Sequence, residues 1–164
     1  MIPRDRLLLA GAALIALTGV ARSARADEEG KLAAAVREAS APDDKKKAAV
    51  ALAAKKSPSA RKNLEQLLGD ESDAWTQEAA LHGLVLLGDA AADERAVEFV
   101  EAHFTSADHV VEAVKTRKSF TIAALSKRYA KTEGFQARSS FVKIASAVRT
   151  KESDAFLRDA IAAK

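Results

Sequence analysis

Apolar residues in this chain recur at helical spacing in short runs, most of them closed by a proline, a glycine or a capping residue. No segment alternates apolar and polar residues with the period of two that a half-buried strand needs. Ala is the commonest residue and aromatics make up only 5% of the chain, which favours closely packed helices over a pleated sheet. The pattern predicts an all-α chain built from many short helices.

The stretch from Glu28 to Ser40 carries Leu32 and Val36 at i,i+4 and is stopped by Pro42. Asp43 and Asp44 suit the N-terminus of a second helix running to Lys56, and Ser57-Pro58 supplies a cap and a first-turn proline for a third that ends at Gly69. A fourth helix, from near Asp73 to Gly88, is apolar around most of its circumference through Trp75, Ala79, Ala80, Leu84 and Leu87, and is the expected centre of the core. Asp93 opens the next, and Ser106 or Asp108 can cap the one after. No Gly or Pro lies between Asp108 and Glu133, so the stripe Ile122, Leu125 and Tyr129 belongs either to one long helix or to two parted near Thr116 to Ser119. Gly134 is expected to close that element, Phe141, Ile144 and Val148 line the following helix, and Ser153 is expected to cap the last. About eight helices with short connections imply antiparallel hairpins of roughly 30 to 40 residues.

Leu64, Leu67-Leu68 and Asp70, followed by Trp75, Ala79-Ala80, Leu84 and Leu87-Gly88-Asp89, form a pattern that resembles the HEAT-like repeat of the phycobilisome-lyase type over residues 64–89. Departures from that pattern are Trp75 where a smaller Val is usual, Thr76 in place of Arg, and Gly83 where Ala is common. The resemblance implies a short α-solenoid of stacked helix pairs that binds other proteins, with no catalytic residues to carry over. Burial argues the same way, because one hairpin is too small to cover its own apolar face and must stack on the next. The competing architecture is a compact, non-repeating helical bundle.

At the N-terminus Arg4 and Arg6 precede an uncharged run of 15 residues, Leu7 to Ala21, and Ala24-Arg25-Ala26 offers small residues where a signal peptidase reads. These features predict a Sec-type signal peptide over 1–26, cleaved between Ala26 and Asp27, a helical-repeat domain over 27–164, and a periplasmic or secreted location. The run falls short of the roughly 20 residues of a spanning helix, so a retained anchor is the alternative. Removing the segment takes away the whole net charge of +3, so the basic composition is no sign of nucleic-acid binding. The absence of Cys excludes disulfides, thiolate metal sites and cysteine nucleophiles.

Charge is divided along the chain. Residues 63–114 hold twelve acids against Arg95 alone, and residues 115–151 hold ten bases against Glu133 alone. In a linear stack this would give an acidic middle and a basic C-terminal part able to steer an oppositely charged partner. Arg117, Lys118, Lys127, Arg128, Lys131 and Arg138 are the candidates for such a docking surface, whose partner would be an acidic protein or an anionic envelope surface. Solvated helix faces that neutralise one another across the acidic–basic boundary are the plain alternative.

Other chemistry is sparse. Glu101, His103, His109 and Glu112 are metal-ligand types, but the two histidines are six apart, whereas a converging helical pair needs three or four. His82 follows Glu78 by four residues, which predicts a surface ion pair. Trp75 and the phenylalanines fall among aliphatic neighbours at helical spacing, which predicts core packing. No phosphate-binding loop, nucleophile elbow or cofactor motif is present, so the chain reads as a non-enzymatic binding or scaffold module without a cofactor. An exported enzyme or metal protein built on segment 98–112 is the alternative.

Overall fold

A computed structural model describes residues 24–162, and all the regular structure among them is helical. Helix α1 covers 24–38 within the described residues, followed by α2 (Pro42–Ala54), α3 (Pro58–Leu68), α4 (Ala74–Leu87), α5 (Ala90–Ala102), a 3-10 turn (Phe104–Ser106), α6 (Ala107–Arg117), α7 (Ile122–Tyr129), α8 (Phe135–Val148) and α9 (Lys151–Ala162). The expected signal peptide lies outside the described residues except for 24–26, which already belong to α1.

Helices α2, α4, α6 and α8 pack side by side, each against the next, and form an inner layer; α3, α5, α7 and α9 cover it from outside. Helices α2 and α3 make no extensive contact with α8 or α9, so order along the chain is order in space, as in an α-solenoid. Helix α4 lies at the centre, against α2, α3, α5 and α6, and therefore buries Ala80, Leu81, Leu84 and Val85 on several sides at once.

Local chemistry sets the helix ends. Ser57 Oγ accepts from Ala60 N at 2.9 Å, Asp73 from Trp75 N at 3.0 Å, and Asp89 from Ala92 N at 2.9 Å, each satisfying a first-turn amide that has no partner inside the helix. Asp89, four residues before the expected Asp93, thus opens α5. Ser106 stands at the N-cap of α6 without a side-chain bond. Lys118 turns left-handed and parts α6 from α7, which raises the helix count from the expected eight to nine among the described residues. Gly134 proves to open α8 rather than close α7, and Thr150 rather than Ser153 caps α9: Ser153 N donates to Thr150 Oγ1 while Thr150 N donates to Ser153 Oγ, a reciprocal capping box.

Every inner helix ends in a left-handed residue. The φ angles are +48° at Lys56 beyond α2, +87° at Gly88 after α4, +61° at Lys118 after α6 and +56° at Arg149 after α8. They recur at roughly 31-residue intervals, one repeat apart. Glycine adopts this conformation freely, whereas an L-residue pays about 1–2 kcal/mol. A cation at a helix C-terminus recovers only about 0.3–1 kcal/mol from the backbone dipoles.

Two ion pairs, one buried and one partly buried, stitch the repeats together. Lys45 of α2, almost fully buried, donates from Nζ to the carbonyls of Val36 (2.9 Å) and Arg37 (2.7 Å) at the end of α1, and lies 3.0 Å from the Asp73 carboxylate at the start of α4. Arg117 of α6 repeats the device: Nη1 donates to Val85 O at 2.9 Å and to Asp93 at 2.6 Å, while Asp93 also accepts from the amide and hydroxyl of Thr121 at the start of α7. In each case one cation satisfies the bare carbonyls of one helix end and pairs with a carboxylate that organises the next.

Candidate partner-binding groove

The four inner helices run in parallel, so the C-terminal halves of neighbours lie side by side. Between those of α6 and α8 is a groove of about 730 Å³, floored by Val111, Val114, Ala147 and Val148 and rimmed by Lys115, Lys118, Lys143 and Arg149. Apolar contact below and four cations above suit an amphipathic, negatively charged segment. Lys143 lies 2.5 Å from Asp108 in a pair that is more than half exposed on both sides. No carboxylate among the described residues pairs with Lys115, Lys118 or Arg149.

Of the six basic residues expected to form a docking surface, only Lys118 lines this groove. Arg117 is committed to the buried Asp93, Lys127 to Glu94 at 2.7 Å, and Arg128 to both Glu98 (3.1 Å) and Glu101 (2.9 Å). Arg138 donates to Thr132 O and lies over the Tyr129 ring, 5.1 Å from its centroid; Lys131 is exposed on the turn after α7. The acidic α5 and the basic α7 are neighbours in the outer layer, so much of the charge division is cancelled across their contact. Lys115, Lys143 and Arg149 belong to the same basic stretch of sequence. Their convergence depends on α6 and α8 being adjacent, which helical spacing within one segment does not reveal.

The remaining candidates are separated. Glu101 accepts from Arg128 and from the Thr132 hydroxyl at 2.6 Å; the His103 ring stacks on Phe99 with centroids 4.2 Å apart. His109 Nε2 lies 3.2 Å from Glu78, and Glu112 pairs with Lys46. No three His, Asp or Glu side chains among the described residues are grouped to hold a metal ion.

The expected Glu78–His82 surface pair is corrected here: Glu78 pairs with His109, and His82 is buried, with Nδ1 unbonded. Burial, then the nearby Lys46 charge, holds its pKa below the ordinary imidazole value. The aromatic expectation is also corrected in part. Phe99, Phe120, Phe141 and Phe156 are in the core, but Trp75 is 56% and Phe135 84% exposed, and Phe104 also reaches solvent. Trp75 faces out because its neighbour Thr76 is drawn inward, where its hydroxyl donates to Asp73 at 2.6 Å beside Lys45.

A family model described as HEAT repeats matches residues 30–116. No curated protein and no solved structure matches the chain. No helix among the described residues is long and apolar enough to cross a membrane.

Proposed function

The chain belongs to the HEAT-repeat family, and from that premise we propose that it is an exported scaffold module of the cell envelope that docks an acidic protein segment in the groove between α6 and α8. HEAT repeats build protein-interaction surfaces and are generally non-enzymatic, so no catalytic step is assigned. The observation that carries the docking reading is the rim of Lys115, Lys118 and Arg149, three cations without carboxylate partners among the described residues, set above an apolar floor. Arg117, Lys127 and Arg128 of the same basic stretch are paired with acids inside the fold, whereas these three converge on one groove with their charge unpaired. Lys118 is also the member of the six-residue basic set that lines the groove, whereas Arg117 and Arg128 are engaged within the fold.

Export is supported by the Arg4 and Arg6 charges, the apolar run that follows and the small residues before Asp27. Processing there would remove Arg25 and its 3.2 Å contact with the buried Glu29, which keeps the hydroxyls of Ser57 and Ser59. The intact mass of the chain recovered from the envelope tests this directly: a product beginning at Asp27 is expected, and a full-length one would point to a retained anchor.

Docking is tested with a labelled oligoglutamate peptide and the double variant Lys115→Glu/Lys143→Glu. Wild type is expected to bind with an affinity that falls as salt rises, and the variant to lose at least about tenfold, or roughly 1.4 kcal/mol. Lack of peptide binding, with binding to phosphatidylglycerol vesicles instead, would favour a membrane-surface role.

A further inference from the structure

The left-handed residues at the ends of the inner helices form a row along one edge of the solenoid, and three of the four are basic: Lys56, Lys118 and Arg149. All three are exposed, and no carboxylate among the described residues pairs with them. Glycine is the usual occupant of this conformation at a helix end, and the strain of a larger residue there exceeds what a cation regains from the helix dipole. Capping therefore does not explain why these positions hold Lys and Arg. Charge displayed outward does.

We propose that the partner segment is an extended acidic polypeptide lying across the ends of α2, α4, α6 and α8, held by the groove cations and Arg149 at one end and by Lys56 at the other. The proposal rests on the docking reading above and specifies the shape and reach of the occupant. Between the two ends the Arg117 guanidinium lies beside Gly88, where a Cβ would meet its Nε at 3.4 Å. Gly88 presents no side chain there, and a second cavity of about 400 Å³, lined by Lys56, Pro58, Arg61 and Leu87, continues the path beyond it. Asp89 in that cavity does not repel an acidic chain, because its carboxylate is engaged by Arg61 at 2.6 Å and by the Ala92 amide. Three inter-helix spacings of about 8–10 Å separate the ends of α2 and α8, a distance of roughly 24–30 Å. An extended chain covers that in about eight or nine residues.

Fluorescence anisotropy with the purified chain and labelled oligoglutamates of six and twelve residues tests this. The twelve-residue peptide should bind at least about tenfold more tightly than the six-residue one. Lys56→Gly, and Lys56→Asn as a second neutral residue tolerant of the left-handed conformation, should weaken only the longer peptide, by about three- to tenfold. Lys118→Gly and Arg149→Gly should weaken both. Each glycine variant should melt at or above the wild-type temperature, whereas a structural cap would melt lower.

Equal affinity for the two lengths, or indifference to both Lys56 variants, would overturn the extended occupant while leaving groove docking standing. Failure of both peptides to bind would end the docking reading and this one together. A lower melting temperature in all three glycine variants would show that the cations serve as caps and would remove the argument for the row.

Discussion

His82 is the residue whose surroundings contradict its local sequence most. It sits on α4 between the helices that flank it, beneath the pair Lys46–Glu112, with one ring nitrogen unbonded. Burial and the Lys46 charge lower its pKa in the fold, so as pH falls through about 6.5 the unfolded chain takes up a proton that the folded chain refuses. Stability is expected to drop as pH falls below about 6.5, and His82→Gln to flatten that part of the profile; urea midpoints at several pH values check this. Asp73 acts in a different window. Its carboxyl is held down to about 2 by the Thr76 hydroxyl and the Lys45 ammonium, so what it adds is present above its ordinary value and is lost as pH falls toward 2. The capping role of Asp73 is legible from the residues around it. The burial of His82 is not, because Glu78, the i−4 neighbour that would hold it at the surface, is taken by His109 from another helix.

Among the elements, α4 shows how closely these helices approach. A Cβ on Gly83 would lie 2.8 Å from Leu64 Cδ2 and 3.0 Å from the carbonyl oxygen of Ala49, so α2 rests almost on the α4 backbone. Leu64 can turn aside, but the Ala49 oxygen moves only with its helix. Gly83→Ala is therefore expected to destabilise the chain by up to about 2 kcal/mol, overpacking of about 1–3 kcal/mol opposing the roughly 1 kcal/mol gained in helix propensity. Chemical denaturation reads this; a more stable variant would show that α2 yields easily. Helix ends written by Ser57, Asp73 and Gly88 are read correctly from sequence because each acts through bonds within a few residues. The break at Lys118 falls within Thr116 to Ser119, where the sequence allowed two helices as well as one: a lysine in the left-handed region is accepted where Arg117 is locked to Asp93 and Val85 and the chain must turn to deliver Thr121 to the same carboxylate.

For the whole molecule, the same pair is the joint between the acidic and basic parts. Asp93 is fully buried and Arg117 nearly so, and together they link α4, α5, α6 and the start of α7. Arg117→Met leaves the carboxylate without its counter-charge and is expected to cost about 3–5 kcal/mol. In a stack whose repeats touch only neighbours, the loss should fall on one side. Amides of α7 to α9 should exchange faster, while those of α2 to α4 stay protected. Uniform acceleration along the chain would mean that the stack unfolds as one unit.

The amino-acid order alone determined helix as the only regular structure among the described residues, most of the helix ends and the linear stacking of hairpins, because propensity, capping and the need of each short helix to cover its apolar face all act over a few residues. Tertiary structure decided which charges are paired and which stay unpaired. It spent Arg117, Lys127 and Arg128 on acids brought close by packing, and gathered Lys115, Lys118, Lys143 and Arg149 from two inner helices around one groove. The physical reason is one of range: a helix end is settled by its immediate neighbours, whereas the fate of a charge depends on which distant segment is folded against it.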